Sequence, residues 1–134
     1  MNELRQVVFI AGASSGIGEA LALGYAQRGA DVVLVARREE RLRNLASRIE
    51  KLGAKALVIQ GDVTVDGDME RAVEKALAAF GRIDIAIANA GFGLVGDLES
   101  LTLEDYRRQF ETNLFGLMRV IYAVLPALKK TEGR

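Results

Sequence analysis

Residues 7–18 read V-V-F-I-A-G-A-S-S-G-I-G. The four apolar residues 7–10 predict a buried strand, and Gly12, Gly16 and Gly18 crowd the turn that follows. Ile17, Ala20 and Leu21 then begin a helical stripe. A strand, a glycine-rich turn and a helix form the unit by which an α/β sheet holds a pyrophosphate: backbone N–H groups and the positive end of the helix dipole face the anion. Glycine is needed where a Cβ would block close approach or forbid the backbone angles. The spacing is G-x-x-x-G-x-G rather than the common dinucleotide pattern G-x-G-x-x-G. Taken alone, the same glycines also suit a tight strand-to-helix turn that binds nothing.

The bulk composition narrows the chemistry. The chain has 134 residues, half of them hydrophobic, which suggests one domain over residues 1–134 with a real core. Basic and acidic residues balance at 18 each, so no net charge draws the chain to nucleic acid or to acidic lipid. There is no cysteine and no histidine. Disulfides, thiolate nucleophiles and the usual metal ligands are thereby excluded, and no metal is expected. No apolar run reaches the ~18 residues of a membrane span, and the first residues do not read as a signal peptide. A cytoplasmic location follows as the expectation.

Around the opening stretch, strands and helices alternate. Helix one is expected over residues 16–28, with Ile17, Leu21 and Tyr25 on one face and Gly29 as terminator. Residues 31–36, D-V-V-L-V-A, predict a strand buried on both faces, as in parallel sheets. Its end bears on cofactor choice. An acidic residue there bonds the ribose 2′-OH of NAD, whereas an arginine nearby takes the 2′-phosphate of NADP. Here Ala36 is neutral, and Arg37 and Arg38 follow. Two guanidiniums suit a phosphate dianion by charge and by bidentate geometry. The same arginines also suit the solvated start of helix two, residues 39–52, whose stripe is Leu42, Leu45, Ile49 and Leu52. Strand three covers residues 55–60 and leads into Gly61-Asp62-Val63. Helix three covers residues 68–80, and strand four covers residues 83–88, ending in Asn89-Ala90-Gly91. After a loop at residues 92–101, Thr102 and Asp105 predict a capping box. One long helix is then expected to about residue 130, with Leu103, Tyr106, Phe110, Leu114 and Leu117 inward and Pro126 as a kink or local end.

These motifs together resemble the short-chain dehydrogenase/reductase family, whose cofactor turn is T-G-x-x-x-G-x-G and whose fourth strand ends in N-A-G. Ala11 stands where that family usually has threonine. The resemblance implies a Rossmann-type doubly wound parallel sheet of strand order 3-2-1-4. It implies NADP (NADPH), in preference to NAD, held by Gly12, Ser14, Ser15, Gly16, Ile17, Gly18, Arg37, Arg38, Asp62, Val63, Asn89, Ala90 and Gly91. In it, Asp62 approaches the adenine amino group, Asn89 braces the strands, and the backbone at Ala90 and Gly91 passes the ribose and nicotinamide. Asn113, in T-N-L-F-G, matches the catalytic asparagine that helps hold a water on a proton relay. The long helix forms part of a dimer contact in the family. The same residues would equally pack on the sheet.

The family transfers hydride between nicotinamide and an alcohol/carbonyl pair, using a tyrosine with a lysine four residues later and a serine that polarises the substrate oxygen. Four residues beyond Tyr25, Tyr106 and Tyr122 stand Gly29, Phe110 and Pro126, so no Tyr-x-x-x-Lys exists in this chain. The resemblance therefore covers the first, cofactor-binding half of the family's length, truncated after strand four. Binding of NADP(H) without turnover is expected, with the small-molecule substrate left to the complete protein. An open, apolar strand-four edge predicts self-association into a homo-oligomer through that edge or the long helix. The alternative is a stand-alone nucleotide-binding or interaction module with a Rossmann fold and no catalysis. A methyltransferase is disfavoured because its second strand usually ends in an acidic residue.

Overall fold

A computed structural model describes residues 4–14 and 16–134. The elements run β1 (Val7–Ala11), α1 (Gly16–Gln27), β2 (Asp31–Ala36), α2 (Glu39–Glu50), β3 (Ala56–Gln60), α3 (Asp68–Phe80), β4 (Ile85–Ala88), α4 (Leu103–Phe110) and α5 (Leu117–Thr131), with a π-helical turn (Glu111–Gly116) between α4 and α5. The strands form one sheet in the order β3-β2-β1-β4. Every pairing is parallel, with Ile10 opposite Leu34 on one side and Ile87 on the other. This is the doubly wound order expected from the sequence.

The unbroken apolar runs are explained by helices on both faces. Val7, Phe9 and Ala11 point into one core with Val33, Val35 and Ile59, covered by Met69, Ala72, Val73 and Ala76 of α3 and by Val120, Val124 and Ala127 of α5. Val8 and Ile10 point into the other with Val32 and Leu34, covered by Ala22 and Ala26 of α1 and by Leu42, Leu45 and Ile49 of α2. Phe9 and Ile10 are wholly buried, and removal from water is worth roughly 1.5–3 kcal/mol for each such side chain.

Three helical faces differ from the sequence expectation. In α1 the buried residues are Gly18, Ala22 and Ala26, whereas Ile17 is 70% exposed. Small side chains let this helix lie close on the sheet, which turns Ile17 outward. Leu52 lies beyond the end of α2 and is exposed. In the long helical region Gly116, Val120, Val124 and Ala127 are buried, while Leu103, Tyr106, Phe110, Leu114, Ile121, Tyr122 and Leu125 are exposed. Leu103, Tyr106, Phe110 and Leu114, expected to face inward, thus join Ile121, Tyr122 and Leu125 on an outer surface. The π turn contributes to this, because its wider winding rotates everything after it relative to α4. Pro126 neither ends nor interrupts α5, which runs on to Thr131. The capping box is present: Thr102 Oγ1 accepts from the Asp105 N–H at 3.2 Å, and the Thr102 N–H donates to Asp105 Oδ2 at 2.8 Å.

Strand four is shorter than residues 83–88 because Asp84 takes another role. Its carboxylate accepts from the Val7 N–H at 2.8 Å and from Arg82 Nη2 at 2.6 Å, so it ties the start of β1 to the approach to β4. The outer edge of β4 is occupied at this end. The Arg134 N–H donates to the Asp84 carbonyl at 3.0 Å, and the Ala86 N–H donates to the Arg134 carbonyl at 2.8 Å. Gly133 is required alongside, since a Cβ there would lie 2.3 Å from the Asp84 carbonyl oxygen.

Burial pushes the Asp84 carboxyl up, but the hydrogen bonds from Arg82 and from the Val7 N–H, together with the Arg82 charge, outweigh it and hold the group below the ordinary aspartate value. A carboxyl with a depressed folded pKa stabilises fully above its unfolded value and loses that contribution as pH falls through the folded one. Asp84→Ala strands the Val7 N–H and should cost about 1–3 kcal/mol at pH 7. In urea melts the gap between wild type and variant should be full above about pH 5 and close as pH falls below the ordinary aspartate value of about 3.9. A gap that stays constant down to pH 2 would refute the role given to this carboxylate.

Candidate functional site

The order of the strands reverses between β1 and β4, because the chain runs outward from β1 through β2 to β3 and then crosses back to place β4 on the other side of β1. In such sheets a crevice opens beyond the carboxyl ends of the strands at that point. Here it is a cleft of about 440 Å³, within the range of about 300–1,000 Å³ usual for small-molecule sites.

The glycine turn forms its floor. The Gly12 and Ala13 N–H groups donate to the Val35 carbonyl at 2.8 and 3.2 Å, which fixes the turn to β2. Gly12 has φ 87°, and a Cβ on it would lie 2.6 Å from the Ala90 nitrogen. Gly18 does not line the cleft. A Cβ there would sit 2.0 Å from the Gly12 carbonyl oxygen, so its task is to let α1 close on the turn. Asn89 Nδ2 donates to that same carbonyl at 3.1 Å, and the Asn89 N–H donates to the Ala11 carbonyl at 2.9 Å. Gly16, at φ 58°, lies on the cleft wall, and a Cβ there would meet no atom within 4 Å. The first turn of α1 therefore opens onto empty space, with Ser14 and Ile17 beside it. Ser15 lies outside the described residues.

Past the end of β2, Ala36, Arg37 and Arg38 line the cleft. The Arg37 carbonyl accepts from Gln60 Nε2 at 3.1 Å, which sets the backbone. Among the described residues neither Arg37 nor Arg38 takes part in an ion pair, so both guanidiniums are available. Gly61, Asp62 and Val63 follow from β3. Asp62 Oδ1 accepts from the Thr64 N–H at 2.9 Å and from Thr64 Oγ1 at 2.7 Å, a closed turn that fixes the carboxylate. From β4 come Asn89, Ala90 and Gly91.

Asn113 stands behind this wall. It lies in the π turn, where a regular helix was expected, and its amide clasps one residue: Oδ1 accepts from the Phe92 N–H at 2.9 Å, and Nδ2 donates to the Phe92 carbonyl at 2.7 Å. A Cβ on Gly91 would lie 2.8 Å from Asn113 Oδ1, so the close approach depends on that glycine.

Thr64, Phe92 and Thr112 also line the cleft. Phe92 opens the loop read from the sequence at residues 92–101, and Thr112 stands in the T-N-L-F-G stretch, whereas Thr64 carries no signal beyond its place after Val63. Among the described residues no acidic cluster suits a metal, and no helix is long and apolar enough to cross a membrane.

Residues 6–134 match the family model described as short chain dehydrogenase. The chain is 43% identical over 131 residues to 11-beta-hydroxysteroid dehydrogenase-like 4A of Arabidopsis thaliana, covering 96% of this chain and 44% of that protein. An alcohol dehydrogenase from the archaeon Thermococcus sibiricus, complexed with 5-hydroxy-NADP, matches with a TM-score of 0.92 and 37% identity over 96% of this chain and 55% of the other. A 3-ketoacyl-(acyl-carrier-protein) reductase from Brucella melitensis, complexed with NADH, matches with a TM-score of 0.86 and 33% identity over 96% of this chain and 52% of the other. The chain belongs to the short-chain dehydrogenase family and spans about half the length of the relatives it matches.

The glycines of the turn should not respond alike to substitution. Gly16→Ala meets open space and should cost only the backbone strain of a positive φ, about 1–3 kcal/mol. Gly12→Ala adds a collision with the Ala90 backbone and should cost clearly more in a denaturant melt. Equal losses would show that the approach of the turn to β4 is not tight.

Proposed function

We propose that this chain is the cofactor-binding half of an NADP(H)-dependent oxidoreductase that interconverts an alcohol and a carbonyl. One observation carries the reading of the cofactor. A single cleft joins the open N-terminal turn of α1 to two guanidiniums that have no ion-pair partner among the described residues, with the neutral Ala36 where a carboxylate would repel a phosphate. The turn around Gly12, Ser14, Ser15, Gly16 and Ile17, held closed at Gly18, would receive the pyrophosphate through backbone N–H groups and the helix dipole. Arg37, with Arg38 beside it, would take the 2′-phosphate in a bidentate grip. Asp62 and Val63 would flank the adenine, and Asn89, Ala90 and Gly91 would line the ribose and nicotinamide end. The archaeal relative's complex with an NADP analogue supports this assignment.

Bound in this cleft, the nicotinamide supplies the hydride acceptor or donor. The residues of this chain bind it, orient it and exclude water from one side of it. Asn113 fixes the Phe92 backbone beside that end and holds the position from which the family's asparagine serves a proton relay. The acid/base pair itself is not encoded here, since no tyrosine has a lysine four residues on. Binding without turnover is the activity proposed for the chain alone, in the cytoplasm. The exposed apolar surface of α4 and α5, with Phe110 57% and Tyr122 69% exposed, supports self-association.

Fluorescence titration of the chain with NADPH and with NADH tests the cofactor reading. NADPH should bind at least tenfold more tightly. Arg37→Asp should remove about 10–100-fold of NADPH affinity, the worth of a charge-assisted contact, and leave NADH binding equal or improved. A folded chain that binds neither, or one whose preference survives the substitution, would overturn the assignment.

A further inference from the structure

Arg119, on α5, lies behind the cleft and is part of no motif read from the sequence. Its guanidinium reaches three groups on two separate segments. Nε donates to Asp66 Oδ1 at 3.1 Å, and Nη1 donates to the Val63 carbonyl at 3.2 Å; both acceptors belong to the loop after β3. Nη1 also lies 2.7 Å from Glu111 Oε1, at the start of the π turn. Gly116, at the other end of that turn, closes on the same loop: a Cβ there would lie 2.6 Å from Val63 Cγ2. Val63 and Thr112 both form cleft wall. The two walls therefore meet behind the cleft through the packing of Gly116 on Val63 and through the Arg119 side chain, among the described residues the one group that hydrogen-bonds to the loop and pairs with Glu111.

We infer that Arg119 is a positioning residue that locks the loop carrying Asp62 and Val63 to the π turn carrying Thr112 and Asn113, so that the two ends of the cleft hold their shape together. The side chain is about one-quarter exposed, screened enough for its bonds to matter and open enough that it is not core packing. Hydrogen bonding to Glu111, opposed by burial and reinforced by Asp66, holds its pKa above the ordinary guanidinium value, so the charge is permanent. A planar fork suits this post, because it serves a carbonyl and two carboxylates from one rigid plane. Lysine offers a single ammonium, which cannot reach three acceptors in the same arrangement. The role of the lock in cofactor seating rests on the reading proposed above, but the lock itself is a property of the free chain.

Hydrogen exchange of the nucleotide-free 134-residue chain tests the lock directly. Glu111→Gln is the decisive variant, since Glu111 has no hydrogen bond to the loop after β3 among the described residues. If Arg119 couples the segments, Glu111→Gln should speed exchange about three- to tenfold at residues 63–66 as well as at residues 111–116. Arg119→Met should speed both further, and Arg119→Lys should restore them only in part. The sheet amides should be unchanged in all three variants, which separates loss of the lock from general destabilisation. Faster exchange confined to residues 111–116 in Glu111→Gln, or no change in either segment in Arg119→Met, would overturn the inference. NADPH titration of the same variants reads the consequence: a rise in Kd of about three- to tenfold with Arg119→Met is expected. If wild type binds no nucleotide while the exchange coupling holds, the lock stands and the cofactor assignment falls.

Discussion

The architecture depends on how closely three pieces of backbone meet at the top of β1. The Gly12 carbonyl lies under α1 at the position of Gly18 and accepts from Asn89, while the Gly12 α-carbon faces the Ala90 backbone. No side chain fits in that space. A Cβ on Gly18 or on Gly12 would sit 2.0 Å or 2.6 Å from backbone atoms of a neighbouring segment. Backbone, unlike the tip of a side chain, cannot swing aside, and a packed interior transmits the strain. The order of the sheet follows, since β1 and β4 must be neighbours for Asn89 to reach Gly12, and α1 must lie flat for the turn to stay closed. The cleft is the space left above this junction.

The helices divide accordingly. On one face α1 offers Gly18, Ala22 and Ala26, a row of small residues that brings the helix down onto the strands. On the other, α5 meets the sheet through Val120, Val124 and Ala127 and keeps its bulkier apolar side chains outside. The π turn reconciles two demands on one helical run. Asn113 must reach Phe92, and Gly116 must close on Val63, although a uniform α-helix sets residues three apart at about 300° around its axis. An extra residue in the winding changes that phase. Side chains of the turn tie it to its neighbours, Asn113 to the Phe92 backbone and Glu111 to Arg119.

Much of this was legible in the residues. Strands buried on both faces announce themselves as continuous apolar runs, and glycines where sterics forbid all else announce the turn. The sheet order and the two helical layers followed from those signals together with the family resemblance, and the structure brings Gly12, Arg37, Asp62 and Asn89 of the expected residues to one cleft, but not Gly18. Ile17, Leu52 and the Leu103–Tyr106–Phe110 stripe read as inward because large apolar residues usually define the buried face. In α1 the inward residues are the small ones, Gly18, Ala22 and Ala26, which periodicity weighted by hydrophobicity overlooks; Leu52 falls past the end of α2, and α4 buries no residue. The π turn carries no sequence signature of its own. Arg119 was invisible for a different reason: its three acceptors come from positions 63, 66 and 111, and only the folded chain brings them together.

The two ends of the cleft are built on different physics. At the turn the cleft offers backbone: N–H groups, a helix dipole and the absence of side chains. Past β2 it offers exposed guanidiniums, whose interactions are electrostatic, screened by salt and readily altered by one residue. The first kind of wall is fixed because the fold cannot close without it: the glycine that opens the turn, Gly12, also admits the Ala90 backbone. The second can drift without any consequence for folding, because among the described residues Arg37 and Arg38 take part in no ion pair. The turn end of the cleft is thus shaped by constraints that also decide the fold, and the end past β2 by side chains that take part in no ion pair among the described residues.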